Sequence, residues 1–221
     1  ALVRLPDGTG GYISAGQMIE VAERNGLVCQ IGEYVIHQAC TFMKEKGEAL
    51  GLGRVGINLS VQQLLVEDSA AHLLESIKKT GVHPGQVVLE ITETILIQFM
   101  SKAEGIIRDL SENGIRISLD DFGIGYSSLN YLMNLPVHSL KIDRSMTSKI
   151  NGSPRQYALL KAIIAMAKVN DIEVVVEGVE NEEERRAIID AEADYIQGFY
   201  YSKPLPQTEL ELFLTGFAVR D

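Results

Sequence analysis

The sequence predicts an α/β chain carrying most of a TIM-like (β/α)8 barrel. Short β-branched apolar runs alternate strictly with helical segments, a polar or charged side chain closes every run, and glycines stand where the helices end. Nothing in the 221 residues looks like a linker between two cores, so a single domain over 1–221 is expected, and at 46% hydrophobic it can bury a large core.

Two helices come first, one over 17–24 opening after Ser14 and one over 32–46. Strands are then expected at 55–59, 87–91, 115–119, 139–142, 173–176 and 195–198, each short and apolar as buried parallel strands are. Helices are expected between them at 64–79, 102–113, 127–134, 155–169 and 182–191, with a closing helix over 208–214. Gly26, Gly81 and Gly114 fall where left-handed helix caps are needed. A closed barrel needs eight strands. Six are in this sequence, so two are expected upstream of Ala1.

The strand ends separate a barrel from an open doubly wound sheet, which would build its site from the few strands beside a switch point. Asn58 closes the first strand, Glu90 and Glu93 the second, and Asp120 and Asp121 the third. Lys141 and Asp143 close the fourth, Glu177 and Glu180 the fifth, and Gln197 the sixth. One such carboxylate is usually a cap or a surface charge. A converging set of Asn58, Glu90, Asp120, Asp121 and Glu177 would instead need cations to offset its repulsion, and all-oxygen donors without histidine select Mg²⁺ or Mn²⁺. Adjacent Asp120 and Asp121 suit a pair of ions that activate water in phosphoester hydrolysis, although the pair could also cap the Gly-rich turn that follows. In that turn Gly123 and Gly125, then Ser127 and Ser128, could approach a phosphate or a metal. Lys141, between Leu140 and Ile142, is an expensive buried cation unless it faces carboxylates or a phosphate; a structural ion pair is its other reading.

The remaining composition excludes several classes. A net charge of −10 with no basic stripe argues against binding DNA or RNA through the backbone. No apolar run reaches the roughly 20 residues of a membrane span, and Arg4 and Asp7 interrupt any signal peptide, so a cytoplasmic segment without membrane insertion is expected. The two cysteines, Cys29 and Cys40, form neither a disulfide framework nor a metal motif. His37, His72, His83 and His138 are read as surface or capping residues. Glu182, Glu183 and Glu184 are read as solvated charge favouring a helix N-terminus.

Taken in order, NLS at 58–60, LEITE at 89–93, DDFGIGYSSL at 120–129, LPVHSLKIDRS at 135–145, EGVE at 177–180 and YIQGFYYSKPLP at 195–206 resemble the EAL family across essentially the whole chain. The resemblance implies a bacterial phosphodiesterase that linearises cyclic di-GMP to pGpG with two Mg²⁺ or Mn²⁺ ions. It also implies a dimer, often fused to sensor or GGDEF-type diguanylate cyclase domains, in a full-length protein that can be membrane-anchored. By position, Asn58, Glu90 and Asp120 resemble ligands of a first ion, and Asp120, Asp121 and Glu177 of a second. Lys141 resembles the lysine that positions the attacking water, and Glu93 a glutamate that steadies the loop after the Asp pair. Gln197, Arg4 and Asp143 are placed with the substrate, Arg4 on a phosphate.

Two departures accompany the resemblance. The chain begins Ala1-Leu2, so the glutamate that names the family would immediately precede Ala1; a molecule physically starting at Ala1 is expected to bind metal weakly with no useful turnover. A sequence clipped at its start is the preferred reading, because every other site position is intact. Ile124 stands where the family usually has threonine, which bears on loop dynamics or dimer coupling. Two other readings compete: an inactive receptor for the dinucleotide, and a structural partner domain that binds no nucleotide.

Overall fold

A computed structural model describes residues 1–124, 134–148 and 150–217, and the chain divides into two compact units. The first comprises Ala1–Glu90, Ser101–Arg116 and the described residues from Glu211 onward; the second comprises Ile91–Met100 and Ile117–Leu210.

The first unit opens with an antiparallel hairpin, β1 (Leu5–Pro6) and β2 (Tyr12–Ile13), paired Leu5 to Ile13 and Pro6 to Tyr12. The Asp7 carboxylate organises its turn, accepting the Thr9 N–H at 2.8 Å, the Thr9 hydroxyl at 2.9 Å and the Gly11 N–H at 2.9 Å. Those donors hold its carboxyl below the usual range, the Thr9 backbone N–H most of all. The sequence reading missed this hairpin, whose only local signal is Asp7-Gly8 between two apolar pairs.

Helices α1 (Ala15–Arg24) and α2 (Val28–Lys46) follow, and the Ser14 hydroxyl caps α1 by accepting the Gln17 N–H. Strand β3 (Val55–Asn58) pairs in parallel with β4 (Val87–Thr92), bringing Asn58 opposite Glu90. Between them the single expected helix is two: α3 (Val61–Leu65), with a Ser60/Gln63 capping box, and α4 (Ser69–Lys79). The break arises because Val66 is extended and Asp68 left-handed at φ 55°, which stops helical hydrogen bonding between them. Helix α2 packs on α3, α4 and β3, and Ile36, Cys40, Ile57, Leu64 and Ile77 are buried in this unit.

In the second unit β5 (Arg116–Phe122), β6 (Ser139–Ile142), β7 (Glu173–Val176) and β8 (Tyr195–Ile196) are parallel and adjacent in chain order. Strand β8 is two residues long, shorter than the run expected over 195–198. Helix α5 (Glu93–Glu112) starts directly from β4 and is interrupted at Phe99, with φ −124° and ψ 24°; the expected helix, over 102–113, captured only its later part. A single turn, α6 (Arg144–Thr147), follows β6. Helix α7 (Pro154–Val169) packs on β7, where Val174 and Val176 are buried. Helix α8 (Glu182–Asp190) is capped by Asn181, and α9 (Gln207–Phe217) ends the described chain. Gly26, Gly81 and Gly114 take the positive φ expected of them, at 69°, 72° and 86°. The helix expected over 127–134, apart from Asn134 in a turn, lies outside the described residues, as do Gly125, Ser127 and Ser128. Among the described residues no helix is long and apolar enough to cross a membrane.

Candidate active site

The site in the second unit begins with an irregularity at the end of β5. Leu119 pairs with Leu140 and Phe122 with Ile142, so three steps along β5 face two along β6. One extra residue is accommodated there, a β-bulge. Asp121 takes up the irregularity with φ 58°, and its N–H donates to Asp120 Oδ1 at 2.9 Å. Aspartate tolerates this left-handed conformation better than most residues, and such strain is retained where surrounding structure enforces it. The bulge thus gives consecutive carboxylates at one strand end. The Asp121 carboxyl is held above its usual range, first by burial and then by the negative charge of Asp120 and Asp143, with Lys141 opposing.

The period-two pleat puts Ser139 and Lys141 on one face of β6, and the register places Lys141 opposite Val175. Lys141 is buried, at 7% exposure. Its ammonium lies 3.1 Å from Asp120 Oδ2 and 2.8 Å from Glu177 Oε1. A buried cation is tolerable only with such partners, so the structural ion pair considered for Lys141 is present and has two carboxylates. Glu177 follows β7, its N–H donating to the Ile142 carbonyl at 3.0 Å.

Glu93 is 3% exposed and its Oε2 accepts the Gly123 N–H at 3.4 Å, tying the start of α5 to the turn after the Asp pair. Gly123 has φ 101°, and a Cβ there would meet Met146 Cγ at 2.8 Å. The neighbouring Ile124 is exposed. Asp143, placed with the substrate by sequence, caps α6: its Oδ1 accepts the Ser145 N–H at 2.8 Å. Gln197 is exposed at the end of β8, with its backbone N–H on the Val176 carbonyl at 2.9 Å.

The first unit holds the other predicted residues. Asn58 is exposed and Glu90 half-buried at the paired ends of β3 and β4. The Glu90 side chain lies over Gly56, where a Cβ would stand 2.2 Å from Glu90 Oε1. Arg4 is exposed just before β1 and donates from its guanidinium to the Val3 carbonyl at 2.9 Å.

Other side chains at the site gave no sequence signal. The Thr147 hydroxyl, on buried Thr147, lies 3.1 Å from both the Arg144 and Glu177 carbonyls, so one O–H anchors the backbone of Glu177. Arg144 pairs with Glu180 at 2.8 Å. His138 is structural, its Nδ1 accepting the Ile117 N–H at 3.1 Å, and His83 caps a short turn by accepting the Gly85 N–H. Glu182 departs from its reading as solvated charge: its carboxylate takes the Tyr200 hydroxyl at 2.6 Å and Arg186 Nε at 2.9 Å.

Among the described residues no group of three or more His, Cys, Asp or Glu side chains is arranged to hold a metal ion. The donor chemistry of Asp120, Asp121 and Glu177 nonetheless fits a hard divalent cation, because all are carboxylates and burial, followed by the charges of Asp120 and Asp143, already disfavours the ionised form of Asp121. Lys141 takes the Asp120 and Glu177 oxygens as things stand.

The family model of the EAL domain matches residues 1–204. Signaling protein YkoW of Bacillus subtilis is 36% identical over 97% of this chain and 27% of its own length. The bifunctional diguanylate cyclase/cyclic di-GMP phosphodiesterase MucR of Pseudomonas aeruginosa is 33% identical over 95% of this chain and 31% of its own length. The chain therefore spans under a third of these relatives. Among solved structures, the PaMucR phosphodiesterase in complex with c-di-GMP superposes with a TM-score of 0.88 at 32% identity, covering 95% of this chain and 85% of that one. The fold is thus the TIM-like barrel fold of these neighbours, and the chain belongs to the EAL domain family.

Proposed function

We propose that this chain is a cyclic di-GMP phosphodiesterase domain that opens its substrate to linear pGpG with the help of two Mg²⁺ or Mn²⁺ ions. The observation that carries the reading is the buried contact of Lys141 with Asp120 and Glu177 beside the strained Asp121, in a chain of this family. A buried, charge-coupled group at converging strand ends is the kind of site that enzymes of barrel folds use.

The proposed donor set is Asn58, Glu90, Asp120, Asp121 and Glu177. Bound ions would lower the pKa of water and neutralise charge on the phosphate. Lys141, held between two carboxylates, is the donor that orients water for attack. Glu93 holds the Gly123 turn in place, and Thr147 holds the backbone of Glu177. Arg4 and Gln197 contact the nucleotide, Arg4 through a phosphate oxygen. Asp143, which caps α6, is placed with them beside the substrate. In the reaction the water oxygen bonds to phosphorus and gives up a proton, the bond from phosphorus to the ribose 3′ oxygen breaks, and that oxygen gains a proton. The same reading brings a homodimer and fusion to sensor or GGDEF-type domains in the intact protein, with the domain working in the bacterial cytoplasm.

The purified protein, extended upstream of Ala1 by roughly 30 residues to restore two strands, is incubated with cyclic di-GMP and Mn²⁺, with Ca²⁺ in parallel, and products are separated by chromatography. Formation of pGpG in Mn²⁺ and none in Ca²⁺ is expected. Binding of the dinucleotide with no cleavage in either ion would replace the enzyme by a receptor.

A further inference from the structure

The segment after β8 is stitched to the loop that carries Glu177. Gln197 N–H donates to the Val176 carbonyl at 2.9 Å, Val179 N–H to the Gln197 carbonyl at 3.2 Å, and Tyr200 N–H to the Val179 carbonyl at 2.9 Å. Buried Val179 is gripped from both sides, and the fit leaves no room at Gly198, where a Cβ would lie 2.1 Å from the Val179 oxygen and 2.4 Å from its nitrogen. The Tyr201 and Ser202 N–H groups also donate to the Gly198 carbonyl, at 3.1 and 3.4 Å, so the backbone closes the turn on itself and the side chains add its tie to α8. The Tyr200 and Tyr201 rings are partly exposed, at 40% and 39%, so burial does not hold them.

A polar network makes that tie. The Tyr200 hydroxyl donates to Glu182 Oε2 at 2.6 Å, within the short range of hydrogen bonds to a carboxylate. Arg185 donates from Nε to the Tyr201 hydroxyl at 3.3 Å and from Nη1 to Glu182 Oε1 at 3.3 Å, while its guanidinium stands 5.9 Å from the Tyr200 ring centre. The two tyrosine rings meet edge to face at 5.2 Å. Glu182 belongs to the first turn of α8, a regular helix capped by Asn181, so the turn after β8 is anchored to a rigid element.

We infer that Glu182 and Tyr200 are positioning residues, a clamp that sets the 197–201 turn and, through its bonds to Val179, the placement of Glu177 and Gln197. A solvated surface pair would be unrelated to either residue. Here the chain of contacts from Glu182 to the Glu177 loop runs through one side chain and two backbone hydrogen bonds. The Glu182 carboxyl lies below its usual range, with the Tyr200 hydroxyl as first cause and Arg186 next, as an occupied acceptor should.

The kinetic consequence rests on the proposed phosphodiesterase activity; the structural one does not, and the test separates them. Amide hydrogen exchange is followed across 176–201 in the wild type, Tyr200→Phe and Glu182→Leu without metal or nucleotide. Both variants are expected to exchange several-fold faster at Val179 and Tyr200, because opening of the turn becomes easier. Steady-state kinetics with cyclic di-GMP and Mn²⁺ should then give a kcat lower on the order of tenfold with KM little changed, as for other groups that orient site residues. Glu182→Gln, which keeps an acceptor oxygen, should recover most of both losses. Unchanged exchange in Tyr200→Phe and Glu182→Leu overturns the clamp whether or not the wild type turns over substrate. Faster exchange with unchanged kcat in an active enzyme overturns its positioning role. An inactive wild type bears on the phosphodiesterase reading, and exchange still decides the clamp.

Discussion

Asp121 is the residue at which backbone and charge are both under tension. Its φ of 58° follows from the β5 bulge, and its carboxyl is raised by burial and by Asp120 and Asp143. A carboxyl whose folded pKa lies above its unfolded value keeps its proton longer in the folded state. Stability is therefore lost as pH rises from the unfolded value through the folded one, and at neutral pH the ionised group is a net cost. Asp121→Asn removes that cost and keeps a residue that accepts positive φ. In EDTA at pH 7 its Tm should exceed that of the wild type, and the rise in Tm on adding Mn²⁺ should shrink. A lower Tm in EDTA would mean that the charge is compensated by something other than an added cation. Lys141 was readable as a buried lysine facing carboxylates, because a lysine inside a buried strand has few tolerable environments. Thr147 and Glu182 were not, since a threonine in a single turn and a glutamate opening a helix are ordinary in sequence, and their partners Glu177 and Tyr200 are 30 and 18 residues away.

At the scale of elements, the runs at 139–142 and 173–176 were legible to the residue, because each is a short apolar run of the kind that forms a buried parallel strand. Helix starts were harder. The helix after β4 begins at Glu93, inside a stretch whose Ile91-Thr92 reads as strand, and the interruption at Phe99 hides its continuity. The β5 bulge had no signature at all, since it exists only as a mismatch with the count along β6. The hairpin β1 to β2 is too short for any periodicity. Gly198 illustrates a contact that sequence conceals: a side chain there would collide with the backbone of Val179. Gly198→Ala should cost about 1–3 kcal/mol, as overpacking does, measured by urea denaturation, and should break the Val179 to Gln197 bond. Wild-type stability in that variant would show that the two loops can move apart freely.

For the whole molecule, the family assignment rests on a match over 1–204 and on solved neighbours with the same fold, while the relatives extend well beyond this chain. The strand-end pattern that predicted a barrel is consistent with those neighbours because a barrel site draws on many strands, each contributing a residue or two. The proposed chemistry centres on Lys141, and the most direct measurement is the initial rate of pGpG formation from cyclic di-GMP in Mn²⁺ by the wild type and by Lys141→Met side by side, with dinucleotide affinity in Ca²⁺ as the companion value. The account predicts a rate lower by about a hundredfold or more in the variant, the scale of losing one preorganised donor, with affinity within a few-fold. Turnover by Lys141→Met at the wild-type rate would contradict it and leave the Asp120 and Glu177 contacts as structural ion pairs alone.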